Sequence, residues 1–153
     1  MLVYRISGQR FANDLSGTGA RLNGGRWNSV GLSLLYTASY RSLALLEILV
    51  HTTNNYVPDD LRLITIEIPD TILIKEILHE EISDELNRKK AQAQFQTIGD
   101  KWIKSQTSLI LKVPSVIIPE EFNYLINPLH KDFHKVKIKE TKLFRFDDRL
   151  VLK

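Results

Sequence analysis

A short segment near the N-terminus, Asn23-Gly24-Gly25-Arg26-Trp27-Asn28, carries residue types that suit an anionic ligand. Adjacent glycines let the backbone approach a ligand closely. Arg26 offers a planar set of donors that matches phosphate or carboxylate, and Trp27 offers a flat apolar surface. The same residues also fit a tight turn whose tryptophan belongs to the core, since Gly-Gly is first of all a turn signal. Both interpretations stay open from this segment alone.

Glu47 is the second candidate, because it is the only ionisable residue between Arg41 and His51. Its neighbours predict a helix that begins after a cap at Ser39 or Ser42 and ends near His51. Apolar residues occupy every side of this helix, so we expect it to be buried nearly all round. A carboxylate in such a helix needs a cation, several donors or a polar cavity. A structural ion pair and a functional site satisfy that need equally well.

Other residues with reactive side chains carry weaker signals. Ser115 follows Pro114 at the end of a predicted strand, where a hydroxyl can point into a pocket, but no G-x-S-x-G elbow surrounds it. The glycines form neither the G-x-G-x-x-G dinucleotide fingerprint nor a P-loop. His130 and His134 stand four residues apart without the glutamate of an H-E-x-x-H motif, so no metal site is predicted.

Composition sets the broad class of the protein. The 153 residues fit one domain with a substantial core, and 43% apolar with 25% charged residues is ordinary for a soluble protein. The absence of cysteine excludes a disulfide framework and a cysteine nucleophile. No signal peptide is visible, and no apolar run approaches the ~18 residues of a membrane helix. We therefore expect a soluble, cytoplasmic protein that does not contact a membrane.

The net charge of +3 is mild, and its basic bias lies late in the chain. A basic tail of this kind could bind RNA phosphates. However, Lys135, Lys137 and Lys139 alternate with Val136 and Ile138, which is typical of a half-buried strand with a solvated outer face. The stretch also lacks interleaved aromatic residues that would stack on bases. We expect no direct contact with nucleic acid, and a non-enzymatic RNA-binding module is kept as an alternative.

Strand-like and helix-like segments are intermixed along a single domain, 1–153, which predicts an α+β fold. Phe95, Ile98 and Trp102 recur at helical spacing and are expected to be core. The charge-rich region 77–90 fits either a solvated helix or a loop. The predicted strands are 2–6, 32–38, 61–68 and 109–113, and the predicted later helix is 91–105.

Several short segments along nearly the whole chain form a recognisable set: Tyr4-Arg5, Gly24 to Asn28, Tyr36-Thr37-Ala38, Ala44 to Glu47, Gly99 with Trp102, Val113-Pro114-Ser115, Asn123 to Pro128 with His130, and Phe146 to Leu150. Taken together, these segments resemble the RES domain, the toxin half of RES–Xre toxin–antitoxin systems. The segment Leu78-His79-Glu80-Glu81 departs from the Leu-Pro-x-x-Trp pattern expected there, which leaves the local structure and the antitoxin contact open.

The resemblance implies a compact fold with a mixed or antiparallel β core and flanking helices, similar to the ADP-ribosyltransferase toxins. It implies an enzyme that depletes NAD⁺ as a substrate, with no cofactor, by cleaving the nicotinamide N-glycosidic bond through hydrolysis or phosphorolysis. ADP-ribosylation of a protein target is the alternative. The implied partner is an Xre-like helix-turn-helix antitoxin in an oligomeric complex.

The resemblance also implies the site residues and their roles. Glu47 would be the catalytic acidic residue, and its carboxylate would stabilise a ribosyl oxocarbenium-like cation. Arg26 and Arg5 would hold the pyrophosphate or ribose. Tyr36 would stack on nicotinamide or line the pocket, and Ser115 would orient Glu47 or a ribose hydroxyl. The further NAD-binding candidates are Trp27, Asn28 and Asn127.

Overall fold

The computed structural model describes residues 1–51, 59–78 and 88–150, which form a seven-stranded sheet with three α-helices. The order of the strands across the sheet is β4-β5-β6-β2-β1-β3-β7. The strands are β1 (Leu2–Gly8), β2 (Leu35–Ala38), β3 (Leu61–Glu67), β4 (Ile74–Glu76), β5 (Ile110–Pro114), β6 (Phe122–Ile126) and β7 (Lys137–Leu143), and the helices are α1 (Thr18–Asn23), α2 (Arg41–His51) and α3 (Arg88–Ser105).

The sheet is mixed, because β4 pairs with β5 in parallel while the other neighbouring strands are antiparallel. This confirms the expected α+β fold with a mixed β core. The seven residues of β1 are registered along their whole length with β3, from Leu2 opposite Glu67 to Gly8 opposite Leu61. By contrast, β1 and β2 share a single registered pair, Tyr4 opposite Ala38. Strands β1 and β2 are therefore not joined by a continuous ladder of backbone hydrogen bonds.

The register places several side chains on one face of the sheet. Ala38 lies opposite Asn123, and Asn123 lies opposite Val113 on the next strand. Tyr36 lies opposite Leu125, two residues along from the first pair. Because side chains alternate across a strand, all five share one face. We call this the helix face, since α2 and α3 pack on it.

Two apolar clusters fill the space under the helices, and a third covers the opposite face. One joins α2 to the sheet through Ile6, Ala38, Leu43, Ala44 and Leu61. A second joins α3 to the sheet and contains Trp27, Leu34, Ile77, Phe95, Trp102, Ile103, Leu111, Val113 and Leu125. The opposite-face cluster is made by Val3, Ala12, Leu35, Ile64, Ile66, Ile68, Ile72, Leu109, Ile110, Ile126 and Val136.

The core stripe predicted for the later helix is confirmed, because Phe95 and Trp102 are buried in α3 and Ile98 packs against their cluster. The expectation that α2 is buried nearly all round is wrong. Of residues 41–50, only Leu43 and Ala44 are buried, and Val50 is 60% exposed. A helix that packs on one face of a sheet covers one side only, so its apolar residues beyond that side stay partly in solvent.

The remaining predicted elements are found close to their expected bounds. Strand β7 begins two residues after Lys135 and lies at the edge of the sheet, with its lysines exposed. Strand β4 was not predicted. Most of the ambiguous region, 79–87, lies outside the described residues. Within the described part of the chain, no helix combines the length and apolar character needed to cross a membrane.

Candidate functional site

The glycine-rich turn is closed around the hydroxyl of Tyr36. That oxygen accepts a hydrogen bond from the backbone N–H of Trp27 at 3.0 Å and donates one to Asn28 Oδ1 at 2.8 Å. The backbone N–H of Gly25 donates to the Asn28 carbonyl at 2.9 Å, which completes the turn. A Cβ at position 25 would lie 2.5 Å from the Tyr36 hydroxyl oxygen, so only glycine fits there.

Helix α3 holds the same turn from the other side. Gln96 Nε2 donates to the carbonyl of Gly25 at 2.9 Å. Asp100 accepts two hydrogen bonds from Ser29, from its backbone N–H at 2.9 Å and from its hydroxyl at 2.6 Å. The turn is thus fixed between β2 and α3, two elements that lie far apart in the sequence. A rigid support of this kind is what a binding site needs.

Trp27 and Arg26 point to different environments. The Trp27 side chain is 3% exposed and stacks on Phe95, with 4.9 Å between ring centroids. The Trp27 side chain therefore belongs to the core, and its predicted contact with NAD⁺ stays a prediction. The Arg26 side chain is exposed, and its Cζ lies 5.9 Å from the centroid of the Phe95 ring. Among the described residues Arg26 has no ion pair, so its guanidinium is available to an anion.

The electrostatics at Tyr36 show that several charged groups converge on it. Burial raises the pKa of Tyr36 above its usual value, while the hydrogen bond from Trp27 and the charge of Arg26 oppose that rise. The carboxylates of Asp100 and Glu47 add smaller increases to the pKa of Tyr36. The phenol therefore stays protonated, and it lies within the fields of Arg26 and Glu47.

Glu47 is half-buried on α2 and reaches the sheet through Asn123. Asn123 Nδ2 donates a hydrogen bond of 2.6 Å to Glu47 Oε1. Asn123 lies on the helix face of the sheet, two residues before Leu125, which is the residue opposite Tyr36. Glu47 and Tyr36 thus occupy the same side of the sheet. Among the described residues Glu47 has no cationic partner in an ion pair, so a structural ion pair does not explain this carboxylate.

Ser115 directly follows β5, as the preceding proline predicts. Its side chain is buried, and its Oγ accepts hydrogen bonds from the backbone N–H groups of Ile117 at 3.1 Å and Ile118 at 3.3 Å. This is a local turn of the serine type. Its backbone N–H donates to the Glu121 carbonyl at 2.8 Å. The predicted contact between Ser115 and Glu47 or ribose stays a prediction.

Arg5 lies beside the position where β1 and β2 are joined, but its side chain alternates with that of Tyr4 and so starts from the opposite face of the sheet. Its Nη1 donates to the backbone carbonyl of Asp14 at 2.8 Å. Burial lowers the pKa of Arg5, and the nearby charge of Asp14 opposes that change. A role for Arg5 in NAD⁺ binding stays a prediction.

Asn28 and Asn127 are fully buried and make several hydrogen bonds with the protein. Asn28 Nδ2 donates to the carbonyls of Ala20 at 2.9 Å and Leu32 at 3.0 Å. Asn127 Nδ2 donates to the Ile103 carbonyl at 3.0 Å, and its Oδ1 accepts from the Leu129 N–H at 3.0 Å. Both amides therefore stabilise backbone turns. Their predicted contact with NAD⁺ is not tested by this arrangement.

The structure brings Arg26, Tyr36 and Glu47 to one side of the sheet, and it adds residues that sequence reasoning missed. Asn123, Gln96 and Asp100 support that group through hydrogen bonds to residues more than 65 positions away. Asn123 belonged to a segment noted only for two short amides around an apolar run. Among the described residues, no group of three or more histidine or acidic side chains could hold a metal ion.

This arrangement can bind an anion and stabilise a cation. Arg26 presents an exposed guanidinium, which suits phosphate oxygens. Glu47 presents a carboxylate that is held by a neutral donor, and such a group can stabilise positive charge that develops nearby. A substrate that carries both phosphate and a reactive sugar would use both properties.

Comparisons with known proteins identify the family. The RES domain family model matches residues 2–147. The "Prs ADP-ribosylating toxin" of Sphingobium sp. is 39% identical over 93% of this chain and 89% of its own length, and "Toxin Res" of Photorhabdus laumondii is 38% identical over 99% and 97%. A chain in the crystal structure of the M. tuberculosis MbcT-MbcA toxin-antitoxin complex shares the fold, with a TM-score of 0.74, 17% identity and coverage of 94% of this chain and 83% of that one. The chain therefore belongs to the RES domain family of toxins.

Proposed function

We propose that this protein is the toxin of a toxin–antitoxin pair and that it cleaves the nicotinamide N-glycosidic bond of NAD⁺. The observation that carries the proposal is the Glu47 carboxylate, which is held by Asn123 at 2.6 Å on the same side of the sheet as Tyr36 and Arg26. The ADP-ribosylating toxin among its relatives supports chemistry at NAD⁺, since its name describes transfer of ADP-ribose.

The chemistry needs one carboxylate. Nicotinamide in NAD⁺ already carries a positive charge and leaves as a neutral molecule with the bonding electron pair, so no general acid is required. The ribosyl group becomes cationic in the transition state, and Glu47 would stabilise that charge directly or through the ribose hydroxyls. Water then attacks the anomeric carbon and loses a proton to give ADP-ribose, or phosphate attacks to give ADP-ribose-1″-phosphate.

The other residues would bind and orient the substrate. Arg26 would hold the pyrophosphate with charge-assisted hydrogen bonds. The hydroxyl of Tyr36 is already bonded to the turn, so its ring would supply the contact with nicotinamide or the pocket wall. The turn itself stays rigid because β2 and α3 support it.

The test is to incubate purified protein, free of antitoxin, with NAD⁺ and to separate the products by chromatography, with and without phosphate. Glu47→Gln should lower nicotinamide release by roughly 100-fold or more and keep the fold. Glu140→Gln is the matched control, since Glu140 is exposed on β7 and should leave release unchanged. A Glu47→Gln variant with full activity would contradict the proposal. The second product would identify water or phosphate as the acceptor.

A second candidate is transfer of ADP-ribose to a protein, which the Prs ADP-ribosylating relative favours. In that case nicotinamide release would need a protein acceptor. Incubation with labelled NAD⁺ and a Prs protein should then give a mass increase of one ADP-ribosyl group, which Glu47→Gln abolishes. Release that is fast without any protein acceptor would count against this candidate.

We also propose that an Xre-like antitoxin covers the NAD⁺ site in an oligomeric complex. The similar fold in the MbcT-MbcA toxin-antitoxin complex supports an antitoxin partner. Titration with a purified Xre-like antitoxin that binds this protein should stop nicotinamide release at a fixed stoichiometry. Continued release in the saturated complex would contradict this arrangement.

A further inference from the structure

Asn123 holds the Glu47 carboxylate from the middle of the sheet. It is the second residue of β6, and its neighbours in register are Ala38 on β2 and Val113 on β5. Its Nδ2 lies 2.6 Å from Glu47 Oε1, across a sequence separation of 76 residues. The opposite amide orientation would place Oδ1 against the carboxylate, so two acceptors would face each other. The chemistry of the pair therefore fixes which end of the amide points to Glu47.

The other end of this amide has no partner. Asn123 Oδ1 is buried from solvent and accepts no hydrogen bond from any residue that the structure describes. Asn28 and Asn127 differ, because in each of them both the nitrogen and the oxygen of the amide are bonded within the protein. A buried acceptor without a donor is costly and uncommon. An oxygen that water cannot reach is also closed to a substrate hydroxyl, so the function of this amide lies at the nitrogen end that holds Glu47.

Two other buried side-chain oxygens of the described residues also lack a partner, Ser39 Oγ and Glu121 Oε2, and neither is bonded to Glu47. Ser115 also follows a strand that neighbours β6, but its Oγ accepts from the N–H groups of Ile117 and Ile118. Because β6 is paired on both sides, the backbone that carries Asn123 is more rigid than a loop.

We propose that Asn123 is the positioning residue of the site: its amide nitrogen orients the Glu47 carboxylate toward the ribose of the bound nucleotide. This inference rests on the proposed cleavage of NAD⁺. The hydrogen bond holds one oxygen of the carboxylate, so Glu47 keeps a single orientation before the substrate binds.

The experiment measures kcat and KM for nicotinamide release with Asn123→Leu, which keeps the shape of the side chain and removes both polar ends. We expect kcat to fall by about 10- to 100-fold, as for loss of other groups that orient a reactive side chain. KM should change by less than about 3-fold, because the amide acts on Glu47 and makes no hydrogen bond with the substrate. Asn123→Asp should lower kcat further, since it places a second carboxylate beside Glu47.

Asn13→Asp is the matched control, because Asn13 is exposed and lies outside the site. It should keep wild-type kcat and KM. Wild-type kcat in Asn123→Leu, while Glu47→Gln is inactive, would overturn the proposal and leave the proposed function standing.

Thermal unfolding gives a second measurement that does not depend on activity. Glu47→Ala and Asn123→Leu together should lower the unfolding temperature by less than the sum of their separate effects, because both remove the same contact. Strictly additive shifts would overturn the positioning role even if the wild-type protein failed to cleave NAD⁺. Inactivity of the wild type, by contrast, would count against the proposed function.

Discussion

The backbone carbonyl of Trp27 lies against the α-carbon of Gly99, where the glycine-rich turn packs on α3. A Cβ at position 99 would overlap the carbonyl oxygen and carbon of Trp27. The neighbouring hydrogen bonds from Gln96 to Gly25 and from Ser29 to Asp100 depend on this close approach. The turn and the helix therefore behave as one unit.

Gly99→Ala should push the glycine-rich turn away from α3, because the added methyl group would overlap backbone atoms of Trp27 that cannot move aside. We expect the free energy of unfolding to fall by at least about 1–3 kcal/mol, the usual cost of overpacking. That loss corresponds to a fall of roughly 2–12 °C in unfolding temperature for a protein of this size. Gly19→Ala is the control, since nothing lies within 4 Å of a Cβ at that helical position. Equal thermal stability of the two variants would contradict the close packing.

Tyr36 should make the stability of the protein depend on alkaline pH. At neutral pH, Tyr36→Phe should cost about 1–3 kcal/mol, because the Trp27 N–H and Asn28 Oδ1 each lose a partner. Burial raises the pKa of Tyr36 in the folded state, so its contribution is complete below the ordinary tyrosine pKa of about 10 and is lost as the pH rises above it.

The measurement is urea unfolding of wild type and Tyr36→Phe from pH 7 to the highest pH at which both fold. The difference in stability should narrow above about pH 10, because only the wild type has this phenol to ionise. A constant difference over the whole range would show that the Tyr36 phenol has an ordinary environment. The titrations of the other tyrosines and lysines cancel in the comparison.

Ser115→Ala should affect stability more than chemistry. The hydroxyl accepts from the backbone N–H groups of Ile117 and Ile118, so its loss should lower the free energy of unfolding by about 1–2 kcal/mol. We expect kcat for nicotinamide release to stay within about 10-fold of wild type, a smaller loss than that from removing the positioned Glu47 carboxylate. Ser42→Ala, at an exposed position of α2, is the control. A loss of kcat as large as that of Glu47→Gln would instead support direct contact with Glu47 or ribose.

Local patterns were enough to predict most of the elements. The alternation of Ile64, Ile66 and Ile68 predicts a strand with one buried side, and all three residues are fully buried around β3. The stripe of Phe95, Ile98 and Trp102 predicts a core helix. In both segments the spacing of the apolar residues matches the repeat at which side chains return to the same face of the backbone. The apolar residues therefore mark the face that packs against the core.

Features that depend on packing between distant segments could not be predicted. The exposure of α2 depends on which of its sides packs against the sheet, which its own composition does not reveal. Strand β4 has only three residues, Ile74–Glu76, and exists because it pairs with β5. The contact of Asn123 with Glu47 needs both the register of β6 and the placement of α2, so no local signal marks it.

Arg26 provides a direct test of anion binding at the site. Its guanidinium is exposed and, within the described residues, unpaired, so Arg26→Lys should leave the unfolding temperature unchanged. Lysine keeps the charge and loses the planar pair of donors, so the Kd for NAD⁺ should rise by about 10-fold, the effect of one charge-assisted hydrogen bond. Calorimetric titration in the Glu47→Gln background would measure Kd without turnover. Arg145→Lys is the matched control, because Arg145 is also exposed and lies beyond β7. If Arg26→Lys bound NAD⁺ as tightly as the control, the pyrophosphate would have to be held by other residues, and Arg5 would become the next guanidinium to test.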